Sequence, residues 1–358
     1  MKKEISVIEA KNEAQKIAFA PIYFQAVVSL KELGILSLLS KNLKGITISE
    51  IARITNVSEY GVKVLLEAAE AAQIVEYHDS EKIVLTKIGY ILNSDIMTNV
   101  NINFVNDICY SGAKYMTKSI QTGKPEGLKI LGEWKTLYEG LSVLPEKAKK
   151  SWFDFDHYYS DDAFPSALEI VFKDNPKYVF DIGGNTGKWA FACCAYNSDV
   201  KIKILDLPGQ LKVSRKNAEA KGLTNRIDFH QIDLLDASKK IPMGADVIWM
   251  SQFLDCFSRN ETIAILKNVR EASDENTLIY ILEPFIDNQK YDAAKYSLAA
   301  TSLYFTIIAN GNSKMYSIVE MEGLVNKAGL TLIERYPLLG NSYHTMLKCK
   351  KAYQPFEC

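Results

Sequence analysis

The chain has 358 residues, enough for about two domains of ordinary size. Its 47% hydrophobic and 24% charged residues are typical of a globular protein and exclude a disordered or fibrous chain. With 42 basic and 43 acidic residues the net charge is -1, so composition gives no general attraction to nucleic acid or anionic lipid.

The cysteines and the N-terminal region further limit the class of protein. Six cysteines show no paired Cys-x-x-Cys spacing and four histidines are scattered, so we predict free thiols and no metal site; the cysteines are Cys109, Cys193, Cys194, Cys256, Cys349 and Cys358. The basic first residues are followed by charged residues where a signal peptide needs an apolar stretch. The apolar run 17–30 is interrupted by Pro21, Gln25 and Ser29, so no membrane span is expected and we predict a cytoplasmic protein.

Residues 1–99 have the helix, turn, helix, hairpin order of a winged-helix domain. Thr47 and Glu50 have capping-box spacing, and Ser58 is a candidate N-cap for the second helix. Two apolar runs on either side of residues 78–81 predict the hairpin. Between residues 56 and 79 the sequence has one basic residue, Lys63, and five acidic residues. The phosphates of nucleic acid would repel a surface with this charge. We therefore interpret this domain as a packing or dimerisation module that does not bind nucleic acid.

Residues 100–173 are predicted to form a helical linker rich in aromatic side chains. The densest stretch runs from Ser151 to Phe164 and surrounds His157 with aromatic rings. Such a stretch suits a wall on which a flat substrate stacks, and equally a packed seam between two domains. Both interpretations stay open because one segment can serve both purposes.

Residues 174–358 alternate strand and helix, which predicts an α/β fold with a mostly parallel, Rossmann-like sheet. The last two strands are separated by too few residues for a crossover helix, so we expect one antiparallel strand at the edge. The predicted strands are Tyr178–Ile182, Ile202–Leu205, Ile227–His230, Val247–Met250, Thr277–Leu282, Leu330–Arg335 and Ser342–Lys348.

A glycine-rich turn follows the first of these strands, over residues 183–187. Gly183 and Gly187 carry no Cβ, which lets a ligand approach the backbone closely. The dinucleotide fingerprint G-x-G-x-x-G fails because its first position falls on Ile182. Asp181, just before the turn, suits a ligand with an ammonium group, such as the amino-acid end of S-adenosylmethionine.

Two more acids follow the next strands. Asp206 ends the second strand, where a carboxylate can accept the two hydroxyls of a ribose. Asp233 follows the third strand and could accept from an adenine amine, with Leu234 as an apolar contact for the ring. Three acids at three successive strand ends point to one nucleoside ligand.

With these motifs the sequence resembles the class I S-adenosylmethionine-dependent O-methyltransferases of the plant caffeate and hydroxyindole type. The resemblance spans about residues 17–350 and rests on segments 181–187, 205–208, 252–258, 281–283 and 327–330. It implies methyl transfer to a hydroxyl of a small phenolic acceptor by a homodimer. The implied cofactor-binding residues are Asp181, Gly183, Gly184, Asn185, Gly187, Asp206, Leu207, Asp233, Leu234 and Ser251. Asn185 replaces the usual third glycine, a mild change because Asn tolerates left-handed backbone.

The main departure from this family follows the fourth strand. Where the family has a catalytic His-Asp-Trp, this chain has Asp255, Cys256 and Phe257. Asp255 therefore occupies the general-base position, Glu283 matches the acid that orients the base, and the second orienting acid falls at Met315. We interpret Cys256 as an inert thiol.

The base itself stays open at the level of sequence. His157 is a second candidate, since its aromatic segment helps to line the acceptor pocket in this family. Asp255 could instead cap the helix that starts near Ser258. A carboxylate is a weak base for a phenol unless burial raises its pKa, so an acidic phenol is the expected acceptor. The alternative is a catalytically impaired scaffold, or a regulator that only binds S-adenosylmethionine.

Overall fold

A computed structural model describes residues 5–79 and 81–352 of the chain. It divides into two compact units, with the boundary between Asn106 and Asp107. The three-part division at residues 99 and 173 stays a prediction, and most of segment 100–173 falls in the second unit. Residues 1–4, Ser80 of the predicted hairpin turn and the predicted thiol Cys358 lie outside the described residues.

The first unit follows the predicted order of helices and strands. Its elements are α1 (Val7–Glu32), α2 (Ile35–Lys41), β1 (Ile46–Thr47), α3 (Ile48–Thr55), α4 (Glu59–Ala71), β2 (Val75–Tyr77), β3 (Lys82–Leu85), α5 (Lys87–Ser94) and α6 (Ile96–Phe104). The predicted capping box is confirmed, because Thr47 and Glu50 each accept the other's backbone N–H. The Ser58 hydroxyl accepts the Gly61 N–H at 3.1 Å, which confirms the second N-cap. The predicted hairpin is antiparallel, and β1 adds a third strand to it.

Helix α1 has a buried end and an exposed end. Its last turns contribute Leu30 to a core shared with α2, α3, α4 and the hairpin, and Val27 packs against this core. The exposed end carries large apolar side chains that lie open to solvent in the single chain, namely Val7, Ile8, Ile17, Phe19 and Ile22. Among the described residues no single helix is long and apolar enough to cross a membrane; α1 and α2 together, bent by 63°, meet that criterion by length and composition.

The second unit is built on a seven-stranded sheet. Its helices and strands are α7 (Met116–Thr122), α8 (Leu137–Gly140), α9 (Glu146–Ser160), α10 (Phe164–Val171), β4 (Tyr178–Ile182), α11 (Lys188–Tyr196), β5 (Lys201–Asp206), α12 (Pro208–Ala220), β6 (Ile227–Gln231), β7 (Val247–Ser251), α13 (Arg259–Ala272), β8 (Leu278–Glu283), α14 (Asp292–Tyr304), α15 (Ile318–Lys327), β9 (Leu330–Leu339) and β10 (His344–Lys351). All seven predicted strands are present, and the fold is the predicted Rossmann-like one.

The strand order is β6-β5-β4-β7-β8-β10-β9. The final pair is antiparallel as predicted, but β10 lies between β8 and β9, so the antiparallel strand is one position in from the edge. The predicted turn at 337–340 also differs, because β9 continues past Arg335 to Leu339. The chain reverses over Gly340 and Tyr343, both with positive φ.

The sheet positions a site at its centre. Strand β4 pairs in parallel with β5 on one side and with β7 on the other, so the connections reverse direction beside it. The carboxyl ends of these three strands meet at that switch point, where open α/β sheets bind their ligands. Hydrophobic clusters cover both faces of the sheet, and on one of them the rings of Trp189 and Trp249 stack 3.8 Å apart.

Candidate active site

A cavity of about 340 Å³ lies at the carboxyl ends of β4, β5 and β7. Eleven of the thirteen residues that sequence reasoning assigned to a site line this cavity: His157, Asp181, Gly183, Gly184, Asn185, Asp206, Leu207, Asp233, Leu234, Ser251 and Asp255. Gly187 and Glu283 do not line the cavity; Gly187 is the N-cap of α11, and Glu283 ends β8. The structure therefore gathers residues from four strand ends and from α9 around one space.

The glycine-rich turn has the conformation for which its residues are suited. Gly183 and Gly187 have φ of 71° and 90°, and Asn185 has φ of 49°, in the left-handed region that glycine and Asn adopt readily. A Cβ on Gly184 would lie 2.6 Å from Oδ2 of Asp181. The turn thus keeps free the space beside the Asp181 carboxylate.

Asp181 is the most deeply buried of the three strand-end acids. Its side chain is 2% exposed, and its Oδ2 has no hydrogen-bond partner among the described residues. Burial, with a smaller contribution from the Asp206 charge, raises the pKa of Asp181 to about 8. A cation beside Oδ2 would provide the missing partner. The carboxylate therefore fits the ammonium group of S-adenosylmethionine.

The other two strand-end acids differ in environment. Asp206 is held by two backbone donors, the N–H groups of Asn185 at 2.8 Å and Leu207 at 2.7 Å. Burial nevertheless raises the pKa of Asp206 to about 6. Its orientation is therefore fixed before any ligand binds. Asp233 is exposed and accepts the N–H of Leu235 at 2.9 Å.

Asp255 lies in a short helical turn, Leu254–Cys256, directly after β7. The prediction that it could cap the next helix is wrong, because Ser258 is the N-cap of α13 and forms a capping box with Glu261. Asp255 is 4% exposed, and its Oδ1 accepts from the Cys256 thiol at 3.4 Å. Burial raises the pKa of Asp255 to about 6, so the group is largely ionised at neutral pH. Burial also holds the pKa of Cys256 well above its usual range, in agreement with an inert thiol.

Glu283 supports the turn that carries Asp255. Its Oε1 accepts the N–H groups of Phe253 at 3.1 Å and Leu254 at 2.9 Å. Burial, followed by the Asp255 charge, holds the pKa of Glu283 well above its usual range. Glu283 therefore acts on Asp255 through the backbone and through charge. Met315 lines the cavity itself and is 6% exposed.

His157 has a geometry different from that of Asp255. It lies on α9, its Nε2 is 3.3 Å from Oγ1 of Thr186, and its ring stacks on Phe153. Burial, followed by the charge of Lys188, lowers the pKa of His157, so the ring is neutral at pH 7. His157 could accept a proton, but its Nε2 is already engaged at the glycine-rich turn.

The aromatic segment divides between the two roles left open for it. Trp152, Phe155 and Phe164 line the cavity, and Nε1 of Trp152 donates to the Tyr304 hydroxyl at 2.8 Å. Phe153 does not line the cavity; its ring packs edge-on against Trp152 as well as stacking on His157. One helix thus supplies both part of the wall and the contacts that fix it.

Sequence reasoning missed Asp156. Its carboxylate lines the cavity, and its Oδ2 accepts from Nδ2 of Asn185 at 3.1 Å. Burial raises the pKa of Asp156 to about 7, with the charges of Asp255 and Asp161 adding to the rise. Its position between Phe155 and His157 was not enough to single it out, because Asp154 lies between two aromatic residues in the same stretch.

Comparisons with known proteins agree with this arrangement. A family model described as a Dimerisation2-like domain matches residues 11–83, and one described as an O-methyltransferase domain matches residues 166–331. Demethylspheroidene O-methyltransferase from Rhodobacter capsulatus is 24% identical over 213 residues, which cover 58% of this chain and 50% of that protein. The chain spans between 23% and 50% of the length of four curated relatives that it matches.

Solved structures match over nearly the full chain. Mitomycin 7-O-methyltransferase MmcR is 18% identical with a TM-score of 0.74, covering 96% of this chain and 98% of that one. The O-methyltransferase NcsB1 from neocarzinostatin biosynthesis, in complex with S-adenosyl-L-homocysteine and 1,4-dihydroxy-2-naphthoic acid, is 19% identical with a TM-score of 0.69. The match covers 92% of this chain and 95% of the NcsB1 chain. These likenesses establish the shared fold.

Proposed function

The chain belongs to the O-methyltransferase family, and on that premise we propose that it transfers the methyl group of S-adenosylmethionine to a hydroxyl of a small aromatic acceptor. The observation that carries the proposal is the cavity at the sheet's switch point, where Asp181 and Asp206 lie on the same surface as Asp255. An aromatic acceptor is supported by the rings of Trp152 and Phe155 in the same wall. The naphthoic acid bound to NcsB1 belongs to the same chemical class.

The cofactor end of the cavity has the chemistry that this donor requires. Asp181, with its unpartnered Oδ2, would hold the ammonium group. Asp206 would accept hydrogen bonds from the ribose hydroxyls, because its two backbone donors leave some of its carboxylate lone pairs free. Asp233 and Leu234 would contact the adenine, and Ser251, whose buried hydroxyl also lacks a partner among the described residues, would complete the site. When bound, S-adenosylmethionine supplies a methyl group already activated by its positive sulfur.

Because the donor is activated, this chain's residues have two tasks. The first is to align the acceptor, which the aromatic wall does by stacking. The second is to remove the hydroxyl proton, which we assign to Asp255, with His157 as the second candidate. Asp255 is largely ionised at neutral pH, and Glu283 behind it holds the turn in place through two backbone hydrogen bonds.

The decisive experiment is turnover of S-adenosylmethionine labelled in the methyl group against a panel of hydroxylated aromatics. The proposal expects label on an acceptor oxygen. Asp206→Ala should lower turnover by roughly ten- to a hundredfold at low cofactor concentration, which serves as the control for the site. Binding of the cofactor with no transfer to any acceptor would favour the impaired scaffold, which the apolar Met315 at a cavity position supports.

We propose further that the protein forms a homodimer through its first unit. The Dimerisation2-like match covers most of α1, and the first part of this helix exposes several large apolar side chains in the single chain, which a partner subunit would cover. Light scattering should find a dimer, and the double variant Ile17→Glu, Ile22→Glu should be monomeric. Lys11→Glu, an exposed change on the same helix, is the matched control. A dimer that survives the double variant would contradict this assignment.

A further inference from the structure

The charges that line the cavity are strongly unequal. Seven carboxylates line it, against a single lysine and one histidine. Lys188 is paired with Asp161, its Nζ 2.5 Å from Oδ2 of that acid, and His157 is neutral at pH 7. Among the described residues that line the cavity, no cation is therefore left to receive an anionic ligand.

Most of these carboxylates have other uses. Asp181, Asp206 and Asp233 belong to the cofactor end under the proposed function. Glu261 is fixed in the capping box of α13 with Ser258, and Glu139 lies 3.4 Å from the N–H of Lys135. The carboxylates left to meet the acceptor are Asp156 and Asp255.

These two carboxylates come from different elements and act on one another. Asp156 lies on α9 and Asp255 on the turn after β7, and after burial the largest influence on Asp156 is the charge of Asp255. The side chain of Asp156 is 26% exposed, and its Oδ2 accepts a hydrogen bond from Nδ2 of Asn185. Two neighbouring carboxylates of this kind bind a positive group well and repel a negative one.

A third group in the same wall also requires a donor from the ligand. Oε1 of Gln252 is buried and has no hydrogen-bond partner among the described residues. Gln252 lines the cavity at the end of β7, with φ of 46°. A buried acceptor atom that is left unpaired costs free energy, and a ligand N–H or ammonium group removes that cost. This observation is independent of the two carboxylates and favours the same kind of ligand.

We infer that the acceptor is a hydroxylated aromatic that carries a protonated amine or an N–H donor, and that Asp156 together with Asp255 selects it over acceptors that carry a carboxylate. The aromatic rings of the wall add to this selection, since a cation is attracted to their faces. The inference rests on the proposed function, because it takes the cofactor end as occupied by S-adenosylmethionine. It concerns the charge of the acceptor and leaves the methylated position open.

The test compares three catechols of similar size: dopamine, propylcatechol and dihydroxyphenylacetate, which are positive, neutral and negative. Calorimetry on the complex with S-adenosyl-L-homocysteine measures binding without any turnover. We expect dopamine to bind at least about tenfold more tightly than dihydroxyphenylacetate, with propylcatechol between them. Asp156→Asn should reduce that ratio by about tenfold. Asp154→Asn, an exposed acid on the same helix, should leave it unchanged.

Each contrary result is informative. Equal or tighter binding of dihydroxyphenylacetate, an unchanged ratio in Asp156→Asn, or no measurable binding of dopamine would overturn the inference. A loss of S-adenosyl-L-homocysteine affinity in Asp156→Asn would assign that carboxylate to the cofactor and overturn it as well. Failure of the proposed function is distinguishable, since it would appear as no cofactor binding or no methyl transfer in the wild-type protein.

Discussion

The two ends of the cavity are built in different ways. The cofactor end consists of a glycine-rich turn and of acids at or just after the carboxyl ends of β4, β5 and β6, so each part is specified by a few consecutive residues. The acceptor end is assembled from side chains far apart in sequence, among them Trp152, Asp255 and Tyr304. The cofactor end therefore depends on local backbone conformation, whereas the acceptor end depends on packing between elements.

The largest expected effect lies at the acceptor end. Asp255→Asn keeps the shape of the side chain and removes its ability to accept a proton. We expect the methyl-transfer rate to fall by about 10²–10⁴-fold, the range for loss of a general base. Affinity for S-adenosyl-L-homocysteine, measured by calorimetry, should stay within about twofold, because the cofactor end is separate.

His157→Ala provides the comparison for that variant. A large loss of rate in His157→Ala together with normal turnover in Asp255→Asn would transfer the base to α9. Normal turnover in both variants would mean that the acceptor arrives already ionised. In that case the rate should follow the acidity of the phenol across a series of acceptors.

The second effect lies at the cofactor end. Asp206→Ala removes a carboxylate that is already oriented by the N–H groups of Asn185 and Leu207. We expect the free energy of cofactor binding to weaken by about 1.5–3 kcal/mol, which corresponds to a loss of roughly ten- to a hundredfold in affinity. Asp233→Ala should cost less, because Asp233 is exposed and its interaction is weakened by water. Unchanged affinity of Asp206→Ala in calorimetry would contradict the assignment of Asp206 to the cofactor.

The pH dependence offers a third comparison. Asp255 must be ionised to accept a proton, and burial raises its pKa to about 6. The rate should therefore be constant above pH 7 and fall about tenfold for each pH unit below 6. The acidic limb should disappear in Asp255→Asn. If the rate of this variant still falls at acidic pH, another group is responsible, and His157 is the first candidate.

The same difference between the two ends explains what the sequence could predict. The strand ends at Asp181 and Asp206 and the turn at Gly183 follow from local patterns, and so do the caps at Thr47 and Ser58. Asp156 was missed because its importance comes from contact with Asn185 and from the charge of Asp255, which are distant in sequence.

Non-local contacts also limited other predictions. Glu283 was expected beside the base, whereas it binds the backbone of the turn, because that turn folds back over the end of β8. The position of β10 inside the sheet could not be inferred from a short connection, which specifies antiparallel pairing and leaves open which strand lies outside.

The smallest effect tests the backbone of the glycine-rich turn. Gly183 has φ of 71°, and a Cβ there would lie 2.3 Å from the ring of Phe253. Gly183→Ala should lower the free energy of unfolding by about 1–2 kcal/mol because of the left-handed conformation alone. The contact with the ring should lower it further. Gly222→Ala is the matched control, because Gly222 has φ of 67° but nothing within 4 Å of the added carbon. Thermal unfolding should show a larger loss for Gly183→Ala, and only that variant should bind the cofactor more weakly. Equal losses in both variants would mean that Phe253 moves aside freely, and that the cofactor end is less rigid than its backbone geometry implies.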